Sequence, residues 1–186
     1  MAWLLMSLRR SELTDSLNYL HREVLQLNRQ RQRLSSFSNA IGDGSITPSE
    51  IASLGPEMFY DGLNFMAASN EAADMVAAQQ CSEYDALYGN ITQQQYYNNP
   101  AIAAQASLYF DENGNLDTDK MYSEFYEKAL VEYVQKYVEP WLHEKENEID
   151  KQKNELETQI ELEQQELDSL KESISSQIQN STIRIS

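Results

Sequence analysis

Leu13-Thr14-Asp15-Ser16-Leu17-Asn18-Tyr19-Leu20-His21-Arg22-Glu23-Val24-Leu25-Gln26-Leu27 decides the fold. Leu13, Leu17, Leu20, Val24 and Leu27 recur at alternating intervals of four and three residues. That is the spacing of a coiled-coil seam, in which apolar side chains keep to one face of a helix. The same phase continues through Arg31, Leu34, Ser38 and Ile41. No glycine or proline interrupts residues 1–41, so the spacing predicts a helix over roughly 3–40.

The last third of the chain carries the same signal. Leu142, Ile149, Leu156 and Leu170 fall on one heptad position, and Ile160, Leu167 and Ile174 on the other. Glu146, Lys153, Glu163 and Gln177 occupy the remaining seam sites, where polar residues lower stability but can fix register. Pro140 stands where this pattern begins. Proline fits a first helical turn and breaks a helix interior. A helix should therefore end or kink near Glu139, and another should run from Pro140 to about Asn180.

The two terminal segments are nearly equal in length, roughly 60 Å each at 1.5 Å per residue. Their charges are opposite. Residues 1–41 hold six arginines and three acids, and residues 141–186 hold five bases and eleven acids. The expected fold is all-α: an antiparallel helical hairpin, with a coiled-coil stalk of residues 1–41 and 140–180. Residues 42–139 form a small helical head and 181–186 a tail. In this register His21 falls opposite residues near Ile160, away from His143.

The middle is punctuated. Gly42-Asp43-Gly44 is a turn, and Thr47-Pro48-Ser49-Glu50 is a capping box with proline at the first helical position. Residues 57–88 are rich in Ala and Met and read as a helix. Residues 89–107, dominated by Asn, Gln, Tyr and Ala, read as a loop. Thr118 or Asp119 is placed to cap a helix running to Glu139.

Composition bounds the function. The chain has 186 residues and a formal net charge of −16. A basic face of the kind that binds nucleic acid is not expected. Cys81 is the only cysteine, so no internal disulfide can form. Arg9 and Arg10 end the apolar opening after eight residues, well short of the ~20 that a membrane span needs. Charge follows that apolar run instead of preceding it, unlike a secretory signal. The expected location is cytoplasmic, or exported without a cleavable signal peptide as part of an assembly.

No phosphate loop, zinc spacing or nucleophile–histidine pair is apparent. The expectation is no enzyme, no catalytic residue and no cofactor. Residues 39–50 fit the latter half of a calcium-binding EF-hand loop, through Asp43, Gly44, Ile46 and Glu50, but Ile41 stands where an oxygen ligand belongs. A turn followed by a capped helix accounts for the same residues. The acidic run Asp111–Asp119 has its glycine misplaced for such a loop, and reads as a turn with an Asp cap.

Two features point to protein contacts. Trp3, Leu4, Leu5, Met6 and Leu8 surround the helix start with apolar groups, more than one partner helix can cover. Tyr126, Tyr133, Tyr137 and Trp141, with Tyr122, share a helical face that suits core packing or an intersubunit surface. The expected partners are copies of the chain or other subunits of a protein assembly, and the expected function is that of a structural, self-assembling subunit. The alternative is an acidic adaptor or chaperone-like module, using Met58, Met66 and Met75 as an adaptable apolar surface.

Overall fold

Helix α1 covers Ala2–Ala40, as expected of a stretch without Gly or Pro. It passes into a 3-10 turn at Ile41–Asp43. Helices α2 (Pro48–Leu54), α3 (Phe59–Tyr88), α4 (Thr118–Tyr133) and α5 (Glu139–Ile183) follow. A π-helical turn, Val134–Val138, joins α4 to α5. The computed structural model describes residues 2–89, 99–100, 104, 109–111 and 115–183. Apart from Gly89, Asn99, Pro100 and Ala104, the expected loop at 89–107 lies outside the described residues. Among the described residues there is no strand, only an isolated bridge between Phe110 and Leu116. The protein is all-α, a helical hairpin whose two long helices pack against each other. By contacts it divides into one unit of residues 1–32 with 144–186, and another of residues 33–143.

In the first unit, α1 and α5 run antiparallel. Arg9 pairs with Glu166, Ser16 with Glu163 and Arg31 with Asp150, so partner numbers fall as positions in α1 rise. Leu13, Leu17 and Leu167 form a buried cluster with Ile160 and Leu170 against it. Leu20, Leu27 and Ile149 are also buried, whereas Val24, Leu156 and Ile174 are half-buried. Arg31, a polar seam residue, turns its guanidinium to Asp150 at 3.1 Å.

Glu163 breaks this apolar seam. Its Oε1 accepts the Ser16 hydroxyl at 3.0 Å. Its Oε2 is buried without a hydrogen-bond partner among the described residues. A buried polar atom without a partner costs roughly 1–3 kcal/mol. Sliding the helices by one heptad would also leave Oε1 and the Ser16 hydroxyl unmatched, so the pair disfavours other alignments.

The second unit closes around Leu34, Phe37, Ile41, Ile51, Leu54, Met121 and Val138, all fully buried. Leu34 and Leu142, read from sequence as seam residues, are buried in this unit. The capping box forms: the Thr47 hydroxyl accepts from the Glu50 amide, and Glu50 Oε2 accepts from the Thr47 amide at 2.7 Å. Small residues bring helices together. A Cβ on Gly62 would lie 2.9 Å from Ile51 and Leu54, so α2 sits directly against α3. Ala73 of α3 packs with Ala129, Leu130 and Tyr126 of α4.

Three boundaries differ from the sequence reading. Asp117 caps α4, rather than Thr118 or Asp119, through its carboxylate and the Lys120 amide at 3.0 Å. The Asp117 amide donates to the Tyr109 carbonyl at 2.6 Å, which holds that residue outside the helix. Near Pro140, where a helix was expected to end or kink, α4 and α5 are joined by the π turn without a gap. Within a regular helix the Pro140 ring would crowd the carbonyl four residues back. The preceding turn widens instead, and the Glu139 amide donates to the Val134 carbonyl, five residues back. Finally, α5 continues to Ile183, so residues 181–183 extend the helix where a tail was expected.

Two substitutions test the seam. Leu20→Asp places an unpaired charge at a position 6% exposed and should lower the unfolding free energy by about 3 kcal/mol or more, read by circular dichroism melting. Glu163→Leu should act oppositely and raise the melting temperature, by about 1 kcal/mol of added stability.

Candidate interaction surfaces

The opening turns of α1 present a dense apolar group to solvent. Trp3 is 52% exposed, Leu4 64%, Leu5 67% and Leu8 58%. Met6 is half-buried. It stands seven residues before Leu13, two helical turns, and so continues the seam phase. The remaining four side chains point elsewhere because a single partner helix covers a single face.

This apolar group adjoins a two-pronged ion pair between the helices. Arg9 grips Glu166 in a fork, Nε to Oε1 at 2.8 Å and Nη2 to Oε2 at 3.0 Å, with Glu12 a further 3.5 Å contact. The hydrogen bond from Arg9, reinforced by its charge, holds the Glu166 carboxyl below the ordinary carboxylate range. Both groups are solvent-exposed, so the fork contributes more to alignment than to stability.

The tyrosine-bearing face of α4 is engaged within the chain. Tyr122 donates to Asp74 Oδ1 at 2.7 Å and Tyr126 to Asn70 Oδ1 at 3.0 Å, both on α3. Trp141 meets Phe65 edge-on, with ring centroids 5.1 Å apart. Tyr133 and Tyr137 stack obliquely at 4.8 Å across the π turn. Tyr133 is half-buried and Tyr137 is 48% exposed. The structure therefore divides the predicted contact residues: Tyr126 and Trp141 pack on α3, and Tyr137 has the most surface left.

An aromatic cluster escaped the sequence reading. Tyr109 stands edge-on to Tyr84 at 5.3 Å and lies 5.7 Å from Phe125, while Tyr84 and Tyr88 are 4.5 Å apart. The four-residue spacing of Tyr84 and Tyr88 was a legible sign of one helical face. Their partner Tyr109 comes from a distant segment and was not legible. Burial, with a hydrogen bond to Glu124, pushes the Tyr109 hydroxyl up to about 12. Cys81 is half-buried, and burial raises its thiol pKa, which disfavours the reactive thiolate. His21 and His143 are both exposed.

The segment resembling half a calcium loop has local roles for its residues. Asp43 Oδ1 accepts the Ser45 amide at 2.9 Å and Glu50 completes the capping box. Gly44 has φ +88°, and a Cβ there would lie 2.6 Å from the Val131 backbone nitrogen. Both a left-handed conformation and close contact with α4 thus require glycine. Among the described residues, no three His, Cys, Asp or Glu side chains are grouped as a metal site. None of the described helices is long and apolar enough to cross a membrane.

The three methionines do not share a surface. Met58 is buried and Met66 half-buried, whereas Met75 is 62% exposed. Met66 and Met75 are nine residues apart, two and a half turns, on opposite sides of α3. Comparison with protein-family models, curated proteins and solved structures finds no match.

The Arg9–Glu166 fork has a titration signature. A carboxyl whose pKa is lowered on folding contributes stability above the ordinary carboxylate range and loses it as pH falls through the lowered value. Side-chain carbonyl NMR should place the Glu166 midpoint below that of an exposed glutamate, and Arg9→Gln should return it to the ordinary range.

Proposed function

We propose that this chain is a structural, self-assembling subunit of a filament, tube, ring or virion-type assembly, without enzymatic activity. It associates through a coiled-coil stalk and an apolar tip. The observation that carries this reading is the exposure of Trp3, Leu4, Leu5 and Leu8 together on the first turns of α1. A single exposed leucine is ordinary surface, but four large apolar side chains within six residues mark a contact.

Magnitudes shape the proposal. Complete burial of one such side chain contributes about 1.5–3 kcal/mol. Four of them, already partly covered, give several kcal/mol. The loss of freedom on association costs about 4–15 kcal/mol. One tip contact is therefore weak by itself, and stable association requires the tip to act together with a second surface. Such a combination of individually weak contacts is how repeated subunits build an extended assembly.

The wild-type chain should form particles larger than a monomer at micromolar concentration, seen by light scattering and negative-stain microscopy. The variant Leu4→Gln/Leu5→Gln should lose the larger particles while keeping its helical circular dichroism signal. A wild-type chain that stays monomeric at high concentration in both low and physiological salt would sink the reading.

A further inference from the structure

Helix α1 has a second stripe, opposite its seam. Leu8, Ser11, Asp15, Tyr19, Arg22, Gln26 and Arg29 follow one another at intervals of three and four residues, so they share one face of the helix. Leu8 is 58% exposed and Tyr19 60%, and the other five are exposed as well. This face points away from α5, because Leu13, Leu17, Leu20 and Leu27 occupy the opposite side.

The stripe is self-complementary when reversed about Tyr19. Asp15 lies four residues before Tyr19 and Arg22 three residues after it. Within one helix these two charges are seven residues apart, roughly 10 Å along the axis, too far to pair with each other. Neither has an ion pair among the described residues. Laid antiparallel on a second copy, Asp15 meets Arg22 and Arg22 meets Asp15. Ser11 then faces Gln26, two groups able to hydrogen-bond, and Leu8 lies under the aliphatic stem of Arg29. The two Tyr19 rings come together beside the symmetry axis, where aromatic pairs favour offset or edge contacts.

We propose that the outer face of α1 is a two-fold dimer interface, occupied by the same face of a second copy in antiparallel orientation. Charge complementarity selects this occupant, because every contact on one side recurs on the other, as a two-fold interface requires. This inference rests on the self-assembly proposed above and supplies its second surface. Trp3, Leu4 and Leu5 fall outside the pairing and stay available for the tip contact.

Charge reversal and rescue test it on the full chain, with dimer dissociation measured by analytical ultracentrifugation. Asp15→Arg and Arg22→Glu, each alone, should weaken dimerisation at least tenfold, because two-fold symmetry turns one reversal into two like-charge contacts. The double variant Asp15→Arg/Arg22→Glu should recover to within about threefold of wild type, since the pairs re-form with exchanged signs. The two substituted positions, Asp15 and Arg22, are exposed, and unchanged circular dichroism confirms folding. A wild type that assembles while both single variants assemble equally well overturns this interface and leaves self-assembly standing. The same holds for a double variant no better than the worse single one. A wild type that never self-associates overturns both.

Discussion

Everything in the α1–α5 unit depends on one apolar seam. Leu13 and Leu17 of α1 are withdrawn from water with Leu167, Ile160 and Leu170 of α5, and Leu20, Leu27 and Ile149 are buried as well. Helices of this length gain little from propensity and much from packing of one face. The polar contacts are of another kind. The Arg9–Glu166 fork is exposed, and the Ser16–Glu163 layer leaves one buried oxygen without a partner. They select which residues stand opposite which, while the leucines supply the driving force.

The second unit solves a different packing problem with small residues. Gly62, Ala73, Ala77 and Ala129 let helices approach closely, and the larger side chains of Phe37, Ile51, Leu54 and Met121 fill the centre. Tyrosines ring this core with their hydroxyls directed outward, as with Tyr122 on Asp74 and Tyr126 on Asn70. Such residues bury a ring while keeping a polar end satisfied. A face of this kind reads from sequence as either core or interface, and here Tyr122, Tyr126 and Trp141 are engaged within the chain while Tyr137 stays 48% exposed.

Much of the site logic concerns what one helix cannot cover. A two-helix unit buries one face of each member, so apolar residues outside the seam phase stay in water. Trp3, Leu4, Leu5 and Leu8 are in that position, and Tyr19 joins them further along. The tip was legible in the sequence because apolar residues occupied every direction of a helical turn. The stripe through Tyr19 was less so, since its apolar members are separated by polar ones, and its meaning depends on knowing which face α5 takes.

By itself, the sequence determined the helical class, the two long terminal helices, the apolar positions Leu13, Leu17, Leu20, Leu27, Ile149 and Leu167 that are buried, and the capping box at Thr47. These follow from local periodicity and from side chains acting on their own backbone, which need no distant partner. Tertiary structure decided what distant residues do to one another. It moved Leu34 and Leu142 into the second unit, gave the expected end or kink near Glu139 the form of a π turn, and set the α4 cap at Asp117 through the Tyr109 carbonyl. It also reassigned Gly44, whose need for glycine comes from its left-handed backbone and from Val131, nearly ninety residues away. Contacts of that range leave no periodic trace in a single sequence, because they join segments whose spacing along the chain is set by the fold and not by the helix repeat.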